Sequence, residues 1–127
     1  MIILSAKSEN RLIGVNEDLV KVIHKAAELT DLDFVVTEGL RTEGRQLMLF
    51  NAGKSKTMSS RHITGHAVDL AVMVNGDITW GWGYYDHLAK IIKIAAKELS
   101  IPIEWGGDWK TFKDGPHFQL PWATYPK

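Results

Sequence analysis

The sequence predicts an α+β fold, a single small domain in which an antiparallel sheet is flanked by two to three helices. Segments of helical and strand periodicity are mixed along the chain without regular βαβ alternation, which disfavours a parallel sheet. Asn75-Gly76-Asp77 is the strongest turn signal and belongs to hairpins, which join antiparallel neighbours. At 127 residues the chain has length for one core and not two. It should bury roughly two thirds of its unfolded surface.

From Glu17 to Leu29 the apolar residues Leu19, Val20, Val22, Ile23, Ala26 and Ala27 recur at helical spacing behind Asn16, a good N-cap. His24 on this helix and His87 on a later one are expected to face solvent. Residues 33–37, with Phe34, Val35 and Val36, read as a short strand ending at Glu38-Gly39. A second helix is expected after Thr42, carrying Leu47, Met48 and Phe50 and stopping at Gly53. Residues 54–61 are polar and serine-rich, hence a loop. Residues 66–74 form a strand that turns at Asn75-Gly76-Asp77. Residues 80–83 are irregular, and 86–99 form the longest helix, with Leu88, Ile91, Ile92, Ala95 and Leu99 on one face. Residues 101–105 and 116–120 are short strands separated by a Gly-Gly-Asp-Trp loop.

Composition narrows the function. Hydrophobic residues at 45% and charged residues at 24% exclude disorder. Fifteen Lys and Arg balance fifteen Asp and Glu, so no basic footprint suggests nucleic acid. Cysteine is absent, which removes disulfides, thiolate metal sites and thiol nucleophiles together. A metal would need His and carboxylate ligands, and the five histidines are His24, His62, His66, His87 and His117. The first residues lack the charged region of a signal peptide, and no apolar run is long enough to span a membrane. The expectation is a protein made in the cytoplasm without membrane insertion.

The chemistry concentrates in Ser60-Arg61-His62-Ile63-Thr64-Gly65-His66-Ala67-Val68-Asp69. Alternation places His66, Val68, Leu70, Val72 and Val74 on one apolar face of the strand, and Ala67, Asp69 and Ala71 on the other. A carboxylate between two alanines has space beside it, and burying it is costly unless it is paired or binds a cation. His62 precedes Asp69 by an odd separation, so a bend at Thr64-Gly65 is needed to bring the two together. In Asp114-Gly115-Pro116-His117-Phe118 a Gly-Pro turn opens into a strand at His117. His62, Asp69 and His117 would make a two-His, one-carboxylate set with a position open to water, and Asp114 on the turn would be its general base. Each residue also has a plainer reading: His62 as a core or surface polar group, Asp69 as an edge charge, Asp114 as a turn residue. His66, on the apolar face, reads as a structural histidine at the rim of the core.

The pattern Ser60-x-His62-x-x-Gly65-x-Ala67-x-Asp69, with Asp114-x-x-His117 downstream, resembles the zinc peptidases of the D-alanyl-D-alanine carboxypeptidase and VanX/VanY type. Within that group it is most similar to the phage endolysins that are L-alanyl-D-glutamate peptidases. Arg11-Leu12-x-Gly14-Val15, Glu38-Gly39-x-Arg41-Thr42 with Gln46, and Gly106-Gly107-Asp108-Trp109 fall in the family's order, so the resemblance covers nearly the whole chain. It implies a hedgehog/DD-peptidase-like fold and one Zn²⁺ per chain on His62, Asp69 and His117. Asp114 takes the general-base position, where some members have Glu. It further implies that Arg41 steadies the substrate carbonyl as an oxyanion and that Ser60 and Trp109 line the substrate groove. Residues 1–127 would be one catalytic domain without a separate wall-binding module. This domain would act as a monomer on the peptidoglycan stem peptide in the periplasm, after release by a separate factor, and so lyse the host cell. The alternatives are a D,D-carboxypeptidase or D-Ala-D-Ala dipeptidase, and, from another class, a non-catalytic zinc-stabilised binding module. The donor set would also accept cobalt, nickel or copper, and no EF-hand-like run argues for calcium.

Overall fold

The computed structural model describes residues 1–55, 60–111 and 113–126. Its first element, α1 (Ala6–Arg11), lacks the apolar periodicity that marks the other helices, because the residue it buries is a serine. Ser8 Oγ accepts from the Val36 N–H at 3.0 Å, and Arg11 donates to the Val36 carbonyl at 3.0 Å. Both groups lie on the outer edge of strand β1 (Asp33–Glu38), so α1 satisfies an edge that would otherwise be open to pairing.

Helix α2 occupies Glu17–Leu29 as its periodicity predicts, with Asn16 accepting from the Asp18 N–H. Helix α3 (Glu43–Asn51) opens at Thr42, whose hydroxyl accepts from the Arg45 N–H. The predicted loop at 54–61 lies partly outside the described residues, at 56–59. Strands β2 (Ala67–Val74) and β3 (Asp77–Thr79) form the predicted hairpin. Asn75 at φ 52° and Gly76 at φ 85° have the left-handed backbone that such a two-residue turn requires.

The longest helix begins earlier than predicted. It is α4 (Trp82–Glu98), so only Trp80 and Gly81 of the glycine-tryptophan segment stay irregular. Gly81 supplies no side-chain cap, and tertiary packing replaces it: Trp82 packs on Trp105 with ring centroids 5.7 Å apart. One turn on, buried Tyr85 donates to the Thr79 carbonyl and accepts from the Val72 N–H. With α1 the described residues hold four helices where two to three were expected. The last strands, β4 (Glu104–Trp105) and β5 (His117–Gln119), are shorter than predicted and flank a 3-10 turn at Gly106–Asp108.

All strand pairs are antiparallel, in the order β1-β2-β5-β4, with β3 on the far half of β2. One face of this sheet is the core. Phe34 and Val36 of β1, Val68, Leu70 and Val72 of β2, and Phe118 of β5 pack in one cluster with Leu19 and Ile23 of α2 and Leu88 and Ile92 of α4. Burying each such side chain contributes about 1.5–3 kcal/mol. The other face carries Asp69, His117 and Gln119 in register: Asp69 pairs with His117, Ala67 with Gln119, and Gln119 with Glu104. Strict alternation would send Glu38 to the core side with Phe34 and Val36. A bulge between Val36 and Glu38 shifts the register so that Glu38 pairs with Asp69 and joins its face.

Candidate metal centre

His62 reaches Asp69 through the predicted bend. Gly65 has φ +77°, and a Cβ there would come within 2.6 Å of the Gly14 carbonyl oxygen, so both conformation and space require glycine. The loop is then pinned from outside: the Asn16 N–H donates to Gly65 O, the His66 N–H to Arg61 O, and the Arg41 N–H to His62 O. His62 Nε2 lies 3.3 Å from Asp69 Oδ1, and His117 Nδ1 lies 3.2 Å from the same oxygen. One donor atom from each of the three residues falls within 4.8 Å of the others.

The remaining ring nitrogens decide what this cluster can hold. His62 Nδ1 is 2.9 Å from the Gly39 carbonyl, which only accepts, so Nδ1 carries the proton and Nε2 turns a lone pair inward. His117 Nε2 is 2.7 Å from Gln119 Oε1, so its Nδ1 likewise turns a lone pair inward. Two imidazole lone pairs and a carboxylate converging on one point repel each other unless a cation lies between them. This donor set, two nitrogens and one oxygen, therefore fits a divalent transition metal with a position left for water. When the imidazoles are protonated instead, it is their own positive charge that faces Asp69. Burial alone would raise its carboxyl, but the hydrogen bonds from His117 and His62 and their charges outweigh it and hold the group well below the usual carboxylate range.

Asp114 lines the same cleft. Its N–H donates to Gly106 O, and its own carbonyl accepts from the His117 N–H. A Cβ on Gly106 would meet the Asp114 carbonyl oxygen at 2.4 Å, so Asp114 sits where it does because residue 106 has no side chain. Burial, and then the negative charge of Asp69, push the Asp114 carboxyl above its ordinary value against the pull of His117, His62 and Arg41.

Arg41 is buried at the cleft wall, paired with Glu38, donating to Gln46 Oε1 at 2.7 Å and lying 3.8 Å from Asp69. Burial lowers its affinity for the proton, more than neighbouring Asp69 restores. Ser60 lines the cleft and its hydroxyl accepts from the His62 N–H. Trp109 lines it too, its ring 5.1 Å from that of His117. All seven residues singled out in the sequence, the three donors, Asp114, Arg41, Ser60 and Trp109, thus line one cleft. His24 and His87 lie on exposed helix faces beside Glu9 and Asp31, away from it. The ring of His66, half-buried, shares a hydrogen bond with the Thr64 hydroxyl at 2.7 Å.

Three further residues of the site were not singled out in the sequence. Arg61 is buried, donates to the carbonyls of Leu120, Pro121 and Tyr125, and stacks on Trp122 at 4.1 Å, which ties the end of the described chain to the loop bearing His62. Gln119 shares the face of His117 by strand alternation, which was readable. Glu104 reaches the face only through the pairing of β4 with β5.

Residues 1–120 match the model of a protein family described as phage L-alanyl-D-glutamate peptidase. The L-alanyl-D-glutamate peptidase of Listeria phage A118 is 31% identical over 121 residues, 95% of this chain and 42% of that protein. That of Escherichia phage T5 is 34% identical over 126 residues, 93% of this chain and 88% of that protein. Among solved structures, the L-Ala D-Glu endopeptidase ChiX of Serratia marcescens superposes with a TM-score of 0.93 at 49% identity, over 98% of this chain and 93% of that one.

Proposed function

The chain belongs to the phage L-alanyl-D-glutamate peptidase family, and from that membership we propose a zinc-dependent endopeptidase that hydrolyses the L-Ala-D-Glu bond of peptidoglycan stem peptides. The observation that carries the reading is the convergence of three lone-pair donors beside a half-buried carboxylate, Asp114, in one open cleft. His62, Asp69 and His117 would hold the ion. When bound, zinc supplies a Lewis acid that polarises a carbonyl and lowers the pKa of a water.

The chain's own groups do the rest. Asp114 takes the proton of the attacking water and returns it to the amine of the departing D-Glu. Its raised pKa brings it nearer the range in which a base both accepts and releases a proton. Arg41, held by Glu38 and Gln46, directs a fixed positive charge at the oxygen on which negative charge develops. Ser60 and Trp109 bound the groove, and Arg45, Lys54 and Lys113 on its walls suit a peptide rich in carboxylates. We take residues 1–127 as one catalytic domain acting as a monomer. Its place is the peptidoglycan, reached after release by a separate factor and leading to host lysis, a role supported by the phage origin of the Listeria phage A118 and Escherichia phage T5 relatives. No helix among the described residues is long and apolar enough to cross a membrane.

The test is to incubate zinc-loaded protein with purified sacculi and to identify the new termini by mass spectrometry. New D-Glu amino termini with free L-Ala carboxyl groups are expected. Asp114→Ala should keep its zinc and lose about 10²–10⁴-fold in turnover. Release of terminal D-Ala instead would reassign the enzyme as a carboxypeptidase, and intact sacculi with one zinc per chain would leave a non-catalytic module.

A further inference from the structure

We propose that Glu104 and Gln119 are positioning residues that fix the tautomer of His117 and so set the strength with which it holds a metal. The inference rests on the metal-site reading above, though not on which bond is cut. The two histidines turn different atoms inward, Nε2 from His62 and Nδ1 from His117. Each can offer a lone pair only if its other nitrogen is protonated.

For His62 the backbone settles the matter, because the Gly39 carbonyl has no proton to give. For His117 it does not. Its outer partner is the carboxamide of Gln119, and a carboxamide can present either its oxygen or its NH₂. Were the amide reversed, its NH₂ would face Nε2, and the imidazole proton would move to Nδ1, where it blocks the ion.

Glu104 removes the choice. Gln119 Nε2 is 2.8 Å from Glu104 Oε2, and a carboxylate only accepts, so the NH₂ end must face Glu104 and the oxygen must face His117. The indole N–H of Trp109 donates to the same oxygen at 3.4 Å, which holds the carboxylate in place. Two N–H donors thus point outward in sequence, from His117 to Gln119 and from Gln119 to Glu104, and neither link can reverse without breaking the other. Gln119 is 5% exposed and His117 7% exposed, so water offers little substitute. The row is built by strand register, with Glu104 directly opposite Gln119 and Gln119 two residues from His117 on the same face. Partners of this kind orient ligating histidines, and removing one typically weakens metal binding by about 10–100-fold.

The test uses Glu104→Gln, which keeps the shape and adds an NH₂ that lets Gln119 reverse, and the double variant Glu104→Gln/Gln119→Glu, which puts an acceptor-only group directly against His117 Nε2. Zinc affinity is measured by competition with a chromophoric chelator. The neutral tautomer of His117 is read by long-range ¹⁵N–¹H correlation in metal-free protein at alkaline pH. The single variant should lose about 10–100-fold in affinity and move proton from Nε2 to Nδ1. The double variant should recover both. Unchanged affinity and tautomer in Glu104→Gln would overturn the proposal. So would a double variant as weak as the single one, or weakened binding with an unmoved tautomer, which is what a merely structural role would give. Neither readout involves cleavage, so a protein that binds zinc in this way yet leaves sacculi intact would sink the proposed activity and not this inference.

Discussion

Asp69 and Asp114 share a cleft, but their carboxyl groups are shifted in opposite directions, and the metal-free protein should show both in its stability. Asp69 titrates below its ordinary value of 3.8 in the folded state, so its contribution is present above that pH and is lost as pH falls below it. Asp114 titrates above its ordinary value, so its contribution is present at low pH and lost as pH rises through the folded value. In urea titrations of metal-free protein, Asp69→Asn should therefore flatten the loss of stability below about pH 4, while Asp114→Asn should raise stability at neutral pH. Equal and parallel acid limbs in all three proteins would contradict this. At this scale the sequence was informative where a residue's own neighbours made it costly. Asp69 between alanines, and Asp114 on a Gly-Pro turn, could be singled out without a partner in view. Glu104 could not, because nothing local to a two-residue strand reveals which residue it will face.

Periodic elements were legible and compensated ones were not. Helix α2 announces itself because its apolar stripe is what buries it, whereas α1 escapes notice because it buries Ser8 and works through hydrogen bonds to β1. Likewise no alternation in Val35-Val36-Thr37-Glu38 foretells the bulge that turns Glu38 toward Arg41. The 3-10 turn at Gly106–Asp108 makes a testable claim of its own. Because a methyl at 106 would collide with the Asp114 carbonyl, Gly106→Ala must push the Asp114 turn outward. Displacing a base by about an ångström costs on the order of 10²-fold. Kinetics on a soluble stem peptide should show that loss in kcat with KM nearly unchanged, and zinc content near one per chain. An unchanged kcat would mean that the turn does not position the base.

At the scale of the molecule, the three donors come from a loop, β2 and β5, so an ion there would link parts of the chain that only the folded state brings together. A ligand that binds only the native form at 100 times its dissociation constant adds about 2.7 kcal/mol, or about 10 °C in melting temperature for a domain of this size. Calorimetry should show a single transition that rises by this amount with zinc and falls back with chelator, and a zinc-insensitive transition would argue against the site. What could not be read from the sequence at this scale is the strand order. The chain's final strand lies between β2 and β4, inside the sheet rather than at its margin.

That order has a consequence in time. While the chain is being synthesised, β2 emerges with the side that receives β5 still unpaired, and it stays so until residues 117–119 have left the ribosome. His117 is among those residues, 48 positions after Asp69. A nascent or prematurely terminated chain that ends short of His117 therefore holds at most two of the three donors and an incomplete sheet. The order of the strands withholds a hydrolytic centre from every product of translation except one that has reached its last strand.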